Sequence, residues 1–396
     1  MPGTNIDYST IFNKTLPPPS NKWQGHPKYN FIGGHSDPNL VPMDSFIESA
    51  ANVFTGDPRN IAMYNFEGGP QGILSLRNFL VGKLAAERGI NVSAEDILIT
   101  SGSGQAIELI NEVLLETGDT VIVESFTFSG ALSYLRQRGV NFIGVDTDDH
   151  GIRMDHLKGI LEGLKLEGIR PKYIYTIPTL QNPTGSVMSM ERRYQLLNLS
   201  EEYDVPIFED ECYADLIFEG EYEKAIRALD DSNRVLHIGS FSKSLGPGLR
   251  LGYVVASWDV MSRLLSRKTD AGTGVIDQMI VGDYFSKHYD EHIHDMRSAL
   301  KRKCDVLSAA LREHFGPLVD FEEPRGGMYL WVKLPPETDS RAYVQNALDE
   351  GIAYNPGPDW SANPDAAANY IRLCFALPSE SEIREGIEKL AKVFKL

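Results

Sequence analysis

One segment of the sequence places an amine close to hydroxyl groups and a guanidinium. In SFSKSLGPGLR, Ser240 and Ser242 precede Lys243, and Arg250 follows seven residues later. A lysine forms Schiff bases with carbonyl compounds once its surroundings lower its pKa. Arginine is a fixed fork for phosphate oxygens. The segment therefore favours a reactive amine beside a phosphate, although an exposed lysine in a Gly- and Pro-rich loop would give the same pattern.

A second segment could bind phosphate through its backbone. Ser101-Gly102-Ser103-Gly104 follows the apolar run DILIT and opens the helical run QAIELINEVLLE. N–H groups at a helix N-terminus bind anions, and glycine lets the ligand approach. The dinucleotide-binding fingerprint would need glycine where the chain has Ile107, and no GxxxxGK[ST] loop occurs. Taken alone, the segment is explained more simply as a tight turn.

Acidic and polar residues end a further apolar run. Asp210 and Tyr213 follow VPIF in the segment EDECY, with Glu209 and Glu211 on either side of Asp210. Side chains alternate along a strand, so Asp210 and its two neighbours face opposite ways. A buried carboxylate there needs a cationic or hydrogen-bonding partner. The turn QNPTG, which contains Asn182, is typical of loops and indicates no chemistry by itself.

The elements that must position these groups alternate between strands and helices. Short apolar runs lie at DILIT, TVIVES, NFIGVD, KYIYTIP, PIFEDE, VLHIGS and GYVVAS, several of them separated by segments of helical spacing. This alternation predicts an α/β fold with a mostly parallel sheet covered by helices on both faces. The segments SGSG, SFTFSG, QNPTG, EDECY and SFSK follow such runs. Because the carboxyl ends of strands share one crevice in such a sheet, we expect all five segments to meet at one site.

The C-terminal part of the chain has a different pattern. Residues 277–315 have helical spacing without proline, which predicts one or two long helices leaving the sheet region. After them, VDFEEP, GGMYLWVKLP and YIRLCFA alternate with two helical segments. This α+β pattern indicates a second, smaller domain.

Composition excludes several classes of protein. The 396 residues include 38 basic and 55 acidic side chains, a net charge of −17, so we expect no nucleic-acid partner. No apolar run approaches the roughly 20 residues of a membrane helix, so no membrane partner is expected. The three cysteines are far apart and the N-terminus lacks the pattern of a signal peptide, which favours a cytoplasmic location.

A metal site is the weakest of the candidates. His288, His292 and His294 lie together in HYDEHIH, but the HExxH pattern of zinc enzymes is absent and the neighbours are acidic. We expect a solvated helix face here and no metal.

The ordered set of motifs resembles a known family. SFSK followed by GLRLGY, with NPTG and ED-x-x-Y before them, is similar to the aspartate-aminotransferase-like enzymes of fold type I, which bind pyridoxal 5′-phosphate. Within the class I and II aminotransferases, the chain resembles the branch of 2-aminoadipate, kynurenine and aromatic aminotransferases. The resemblance runs from about Phe31 to the C-terminus. It implies an N-terminal arm at 1–40 that belongs to a small α+β domain, a large cofactor-binding domain at 41–284, and the rest of the small domain at 285–396.

The resemblance also implies roles for individual residues. Lys243 matches the lysine that forms a Schiff base with the cofactor, and Asp210 matches the acid that pairs with the pyridine nitrogen. Tyr213 and Asn182 match the donors to the phenolic oxygen, and Phe128 matches the ring that stacks on the pyridine. The residues that match the phosphate-binding cradle are Gly102, Ser103, Gly104, Ser240, Ser242 and Arg250.

Substrate and subunit contacts follow from the same match. Arg372 in YIRLCFA matches the arginine that binds the substrate α-carboxylate, assisted by Asn182, and Gly34 matches a glycine that lines the substrate pocket. Tyr64 matches the tyrosine that reaches the cofactor phosphate of a neighbouring subunit, which implies a homodimer with shared active sites.

The sequence departs from the family at two places. Phe126 stands where proline is usual, and Tyr354-Asn355-Pro356-Gly357 stands where FVPG is frequent. Both departures concern side-chain specificity.

The implied function is an aminotransferase. It would move the α-amino group of an aromatic, 2-aminoadipate-like or wider range of amino acids to a 2-oxo acid such as 2-oxoglutarate. One alternative is a lyase of the β-elimination or cyclase type on the same fold, which shares all these motifs. A second is a non-catalytic regulatory domain that binds the cofactor. The negative charge and the lack of room for a DNA-binding segment before residue 31 argue against the second.

Overall fold

The computed structural model describes residues 5–14, 16–23 and 25–395. The strands in chain order are β1 (Tyr29–Asn30), β2 (Ile97–Thr100), β3 (Thr120–Glu124), β4 (Asn141–Val145), β5 (Thr147–Asp148), β6 (Gly151–Ile152), β7 (Ile174–Thr176), β8 (Ile207–Asp210), β9 (Val235–Ser240), β10 (Gly252–Val255), β11 (Tyr329–Lys333), β12 (Ile352–Ala353), β13 (Asn355–Pro356) and β14 (Tyr370–Cys374). The α-helices are α1 (Met43–Phe54), α2 (Arg59–Ala62), α3 (Leu74–Lys83), α4 (Gly102–Leu114), α5 (Ser129–Gln137), α6 (Met154–Leu166), α7 (Met190–Glu202), α8 (Trp258–Arg267), α9 (Val275–Phe315), α10 (Val344–Asp349) and α11 (Glu380–Phe394).

Seven strands form the central sheet, in the order β2-β10-β9-β8-β7-β3-β4. The neighbours from β9 to β4 are parallel, whereas β10 is antiparallel to both β2 and β9. Every residue of β2, β3 and β7–β10 is buried, as expected where helices cover both faces of a sheet. The predicted α/β fold with a mostly parallel sheet is confirmed.

One helix spans the region for which one or two helices were predicted. Helix α9 has 41 residues and packs against α1, α3 and α11. The predicted boundary between residues 284 and 285 lies inside this helix. The division of the chain at that point stays a prediction.

The smaller part of the fold combines segments from both ends of the chain. Strands β11, β14 and β13 form an antiparallel sheet in that order. Strand β1 near the N-terminus pairs in parallel with β12, and α11 packs against α9. The predicted α+β unit, built from the N-terminal segment and the C-terminal part, is confirmed.

The N-terminal arm carries little regular structure. Within residues 5–14 and 16–23, a single turn of 3-10 helix at Tyr8–Thr10 is the one regular element, and the side chains are exposed. In the described part of the chain, no helix is both long and apolar enough to span a membrane.

Candidate active site

The segments predicted to converge do so at one edge of the central sheet. Strands β9, β8, β7 and β3 are parallel neighbours, so the loops that follow them leave from the same edge. Strand β2 runs in the same direction as β9, because β10 is antiparallel to both. Lys243, Asp210, Asn182, Phe128 and Gly102 therefore lie on loops or strand ends at this edge.

The amine of Lys243 meets the N-terminal segment. Its Nζ donates to the carbonyl oxygen of Gly34 at 3.0 Å. A Cβ on Gly34 would collide with this Nζ and with the hydroxyl of Tyr329. Gly34 thus allows the backbone to approach the lysine closely, as its predicted position in the pocket requires.

Helix α9 fixes the residue after the lysine. Buried His292 contacts the carbonyl oxygen of Ser244 through Nε2 at 2.8 Å and the hydroxyl of Tyr284 through Nδ1 at 3.1 Å. This histidine belongs to the HYDEHIH segment, and the prediction of a solvated face is wrong for it. Burial lowers the pKa of His292. Among residues 5–14, 16–23 and 25–395, no group of three or more His, Cys, Asp or Glu side chains could hold a metal ion.

Asp210 is a buried carboxylate at the end of β8. Its side chain accepts hydrogen bonds from the hydroxyl of Tyr175 at 2.7 Å and from the backbone N–H of Cys212 at 3.2 Å. Burial raises the pKa of this carboxyl, so a nearby cation would stabilise its charged form.

The neighbours of Asp210 make their contacts elsewhere. Glu209 contacts His237 at 2.8 Å, and Glu211 pairs with Arg88 at 2.8 Å and with Arg193 at 3.4 Å. All of these side chains are buried. These contacts agree with the alternation along the strand that singled out Asp210.

Two glycines and an arginine meet at the start of α4, where the phosphate cradle is predicted. Gly102 has φ +75°, and a Cβ there would collide with the guanidinium of Arg250. A Cβ on Gly252 would lie 2.7 Å from the backbone of Gly102 and Ser103. The helix begins without a side-chain cap, so its first N–H groups remain available to an anion.

The remaining cradle residues lie around this helix start. Ser240 and Ser242 are buried, and the backbone N–H of Ser242 donates to Oγ of Ser240 at 3.1 Å. Ser103 follows Gly102 in the first turn of α4. A Cβ on Gly104 would make only ordinary contact, at 3.4 Å from the hydroxyl of Tyr134.

A buried guanidinium lies on the opposite side of the site. Arg372 on β14 is 2% exposed. Its Nη1 donates to Oδ1 of Asn182 at 3.0 Å, and its Nη2 donates to the carbonyl oxygen of Gly33 at 3.0 Å and to Oδ1 of Asn355 at 2.7 Å. Its Nε has no partner in the described part of the chain. The ring centroids of Tyr329 and Trp360 lie 3.9 Å and 3.6 Å from the guanidinium carbon.

Asn182 links the guanidinium to the tyrosines. Its Nδ2 donates to the hydroxyl of Tyr213 at 2.9 Å, and that hydroxyl lies 3.4 Å from the hydroxyl of Tyr329. Burial raises the pKa of Tyr213 well above its ordinary value, so this phenol stays protonated at neutral pH. A continuous polar network therefore runs from Arg372 through Asn182 and Tyr213 to Tyr329, which borders Lys243.

Two phenylalanines of SFTFSG have different surroundings. Phe128 immediately precedes α5, and its ring lies 5.9 Å from that of Trp360 and against Gly130. Phe126, where the family usually has proline, packs against Trp331 at 5.5 Å and Tyr370 at 5.3 Å. This departure therefore adds a ring to an aromatic cluster of the smaller domain.

Tyr64 lies apart from the other predicted site residues. Its side chain is 86% exposed and borders a cavity of about 400 Å³ that Asn65, Asp270 and Thr273 also line. No hydrogen bond, ion pair or ring contact joins it to another predicted site residue within the described chain.

The structure adds residues that the sequence did not indicate. Tyr329, Trp360 and Asn355 surround Arg372, and Tyr175 donates to Asp210. Side chains alternate along a strand, so the pattern of GGMYLWVKLP indicated that Tyr329 and Trp331 share one face of β11. For Asn355, the departure from FVPG was the signal.

The residues fit pyridoxal phosphate. The buried carboxylate of Asp210 suits a protonated ring nitrogen, and the amine of Lys243 suits an aldehyde. The start of α4 beside Arg250 suits a phosphate, because no side chain caps the first backbone N–H groups of this helix.

Comparisons with known proteins agree with this chemistry. The family described as aminotransferase class I and II matches residues 39–390. The aromatic-amino-acid aminotransferase 1 of Thermococcus litoralis is 35% identical, over 92% of this chain and 88% of the relative. The 2-aminoadipate transaminase of Thermus thermophilus is 31% identical, over 92% of this chain and 90% of the relative.

A solved structure extends the likeness to three dimensions. The crystal structure of an archaeal alanine:glyoxylate aminotransferase is 35% identical, covers 93% of this chain and 90% of its own, and gives a TM-score of 0.87. With the family match over residues 39–390, these likenesses cover the sheet, the site and the smaller domain. The chain therefore belongs to the class I and II aminotransferases of fold type I, which use pyridoxal 5′-phosphate to exchange amino groups between amino acids and oxo acids.

Proposed function

We propose that this enzyme moves the α-amino group of an aromatic, 2-aminoadipate-like or wider range of amino acids to a 2-oxo acid such as 2-oxoglutarate. The observation that carries the proposal is the polar network from Arg372 to the vicinity of Lys243. It offers a buried cation for a carboxylate at one end and an amine for proton transfer at the other. An α-amino acid carries the matching groups on one carbon: a carboxylate for the cation and a proton for the amine to remove.

The cofactor, when bound, supplies the electron sink that makes the Cα proton acidic. In our proposal, Asp210 holds the ring nitrogen protonated, because a buried carboxylate without a cation is unfavourable. The cradle of Gly102, Ser103, Gly104, Ser240, Ser242 and Arg250 binds the phosphate. Asn182 and Tyr213 donate hydrogen bonds to the phenolic oxygen, and Phe128 covers one face of the ring.

Lys243 and Arg372 act on the substrate. Arg372 binds the α-carboxylate and thereby fixes which bond of Cα lies perpendicular to the cofactor ring. The amine of Lys243, once free, removes the proton from Cα as general base and, as general acid, delivers it to the cofactor carbon that takes up the amino group. Gly34 leaves room for the substrate beside this amine, since any side chain there would occupy the position of Nζ.

The substrate side chain is the least constrained part of the proposal. Two relatives of nearly equal identity carry the names of aromatic and alanine:glyoxylate aminotransferases, so identity alone does not select a substrate. The rings of Phe128, Tyr329 and Trp360 next to the guanidinium favour apolar or aromatic side chains.

A single-turnover panel of amino acids tests the donor range. The holoenzyme is mixed with each amino acid, and the change in the visible absorbance of the cofactor is followed in time. We expect phenylalanine, tyrosine, kynurenine or 2-aminoadipate to react fastest. A panel in which only alanine or only aspartate reacts would contradict the substrate range and leave the aminotransferase assignment intact. Dependence of steady turnover on 2-oxoglutarate tests the acceptor and separates transamination from a lyase reaction.

We also propose that the active unit is a homodimer with shared sites. The side chain of Tyr64 is 86% exposed, and no hydrogen bond joins it to the cradle within the described residues, which supports a role toward the cofactor of another subunit. Apolar side chains of α1 and of the segment just before Tyr64 are exposed in the single chain: Met43, Ile47, Phe54, Ile61 and Met63. A surface of this kind is typical of an interface.

The enzyme's three cysteines are free, which supports a cytoplasmic location.

Mixed dimers test the shared site directly. A chain with Lys243→Ala is mixed with a chain with Tyr64→Phe after partial unfolding and reassembly. If Tyr64 crosses between subunits, the mixed dimer contains one site with both wild-type residues, and activity recovers above that of either variant. Activity that never exceeds the sum of the two variants would contradict the assignment of Tyr64.

A further inference from the structure

Most N–H groups of the Arg372 guanidinium already donate to acceptors of the protein itself. An arginine side chain has five N–H groups in a rigid plane. In this site both N–H groups of Nη2 are used, one by the carbonyl oxygen of Gly33 and one by Oδ1 of Asn355. Nη1 donates to Asn182, and Nε has no partner in the described chain.

A carboxylate that binds with two parallel hydrogen bonds needs one edge of the guanidinium. The side edge pairs Nε with Nη2, and the end edge pairs Nη1 with Nη2. Both edges therefore include an N–H group that Gly33 or Asn355 occupies. Bidentate binding of a substrate carboxylate to Arg372 requires that one of these two acceptors leave.

The surroundings of the guanidinium restrict its movement. The rings of Tyr329 and Trp360 lie within 4 Å of the guanidinium carbon and resist tilting of its plane, and the hydrogen bonds to Asn182 and Gly33 resist rotation within that plane. Asn182 is also fixed, because its Nδ2 donates to Tyr213.

The two acceptors of Nη2 differ in freedom. Gly33 accepts through its backbone, in a segment that continues from β1 and is held by the pairing of β1 with β12. Asn355 accepts through its side chain, is half-buried on β13, and has no hydrogen bond from its Nδ2 in the described chain. Rotation about its side-chain torsions would release Nη2 without moving the backbone.

We propose that Asn355 is a displaceable partner of Arg372, and that the α-carboxylate of the substrate takes its position on the guanidinium. In the empty site, the amide oxygen satisfies a buried N–H group that would otherwise lack an acceptor. Asn355 then competes with every carboxylate ligand and sets the affinity of the site. This inference rests on the proposed function of Arg372.

The test compares three substitutions at position 355 with the wild-type asparagine. Asn355→Leu removes the competing oxygen at similar volume, and Asn355→Val is a second apolar variant that suits a strand. We expect the half-saturating concentration of the fastest amino acid in single turnover to fall by roughly tenfold in both variants, because a neutral hydrogen bond to a charged group no longer has to be broken. Asn355→Asp replaces the amide with a charged competitor and should raise this concentration by at least about tenfold.

Two ligands that lack one of the substrate groups separate competition from damage to the site. The decarboxylated amine of the fastest donor should react with the same half-saturating concentration in all variants. The des-amino acid of that donor, as an unreactive inhibitor, should bind more tightly to the leucine and valine variants. Asn363, which is exposed outside the site, provides the matched control through Asn363→Leu and Asn363→Asp, with no change expected.

The outcomes separate this inference from the proposed function. Unchanged or weaker carboxylate binding in both apolar variants would overturn the proposal that Asn355 is displaced. Weaker binding would show that Asn355 instead holds the guanidinium in position. A wild-type enzyme that reacts with no amino acid would contradict the proposed function itself.

Discussion

The two sides of the active site are built in different ways. On the side of Lys243 and Asp210, the functional residues lie at or shortly after the carboxyl ends of buried strands of the central sheet, and parallel pairing brings these ends together. On the side of Arg372, the surrounding residues come from the cross-strand register of a small antiparallel sheet. There, Trp331 and Asn355 lie opposite Arg372 on its two sides.

This difference determines which side of the site can change its contacts through a single substitution. The residues on the sheet side are fixed by buried neighbours, such as Tyr175, whose hydroxyl donates to Asp210. On the arginine side, side chains of β11 and β13 contact the guanidinium directly, so a single substitution there changes its contacts. We infer that cofactor chemistry is held constant by the first side, whereas substrate range is adjusted on the second.

The largest effect is expected on the sheet side, from Lys243→Ala. This change removes the amine that is proposed both to link to the cofactor and to act as the base at Cα. Single-turnover rates should fall by at least about 10⁴-fold. Reduction of the wild-type holoenzyme with borohydride, followed by peptide mass mapping, should locate the cofactor on Lys243. An adduct on a different lysine would contradict the assignment of the site.

On the arginine side, Arg372→Ala should weaken binding and leave the proton-transfer groups in place. The loss of a charged, hydrogen-bonded partner costs about 2–5 kcal/mol, including the penalty for the unpaired carboxylate. The KM should rise for all amino acids to a similar extent, because all of them share the α-carboxylate. Steady-state kinetics on three donors of different side chain measures this. A rise confined to one donor would show that Arg372 contacts side chains instead.

The same contrast explains what could be predicted from the sequence. Lys243, Asp210, Asn182 and Gly102 lie next to apolar runs in short motifs, so their convergence followed from the parallel sheet. Tyr329 and Asn355 meet Arg372 only through the register of β11, β14 and β13, which depends on contacts far apart in the chain, and Trp360 meets it from the short helix after β13. The direction of β10 was equally unreadable, because a fully buried strand has the same pattern whichever way it runs.

A smaller effect is expected from Asp210→Asn, and a neighbour provides the control. A charge opposite a titrating group shifts its pKa by about 1–3 units, so activity should fall by roughly 10–10³-fold as the ring nitrogen loses its proton. Glu211→Gln alters a buried ion pair with Arg88 on the other face of the strand. It should lower the melting temperature and leave the kcat of the folded enzyme nearly unchanged. Comparable losses of kcat in both variants would mean that the two faces of β8 are not separate.

The smallest effect concerns a buried acid on the sheet side that the sequence did not single out. Glu124 ends β3 and accepts hydrogen bonds from Thr176 at 2.6 Å and Gln181 at 2.8 Å. Gln181 also donates to the carbonyl oxygen of Phe126 at 2.6 Å, so this network joins the loops that carry Asn182 and Phe128. Burial raises the pKa of Glu124 from 4.5 to about 7.

The sign of the pH dependence follows from this shift. A folded-state pKa above the unfolded value means that the folded protein binds the extra proton between about pH 4.5 and pH 7. Stability should therefore fall as the pH rises through this range and level off above it, by up to about 3 kcal/mol from this group.

Glu124→Gln cannot titrate, so its melting temperature should change less between pH 5 and pH 8 than that of the wild type. Because the new amide adds a donor among donors, the variant is expected to be less stable at every pH, and only the difference between the two pH values is informative. Exposed Glu116→Gln is the control and should retain the wild-type dependence. Equal pH dependence in wild type and Glu124→Gln would show that the carboxylate remains charged in the folded enzyme, held by the donors of Thr176 and Gln181.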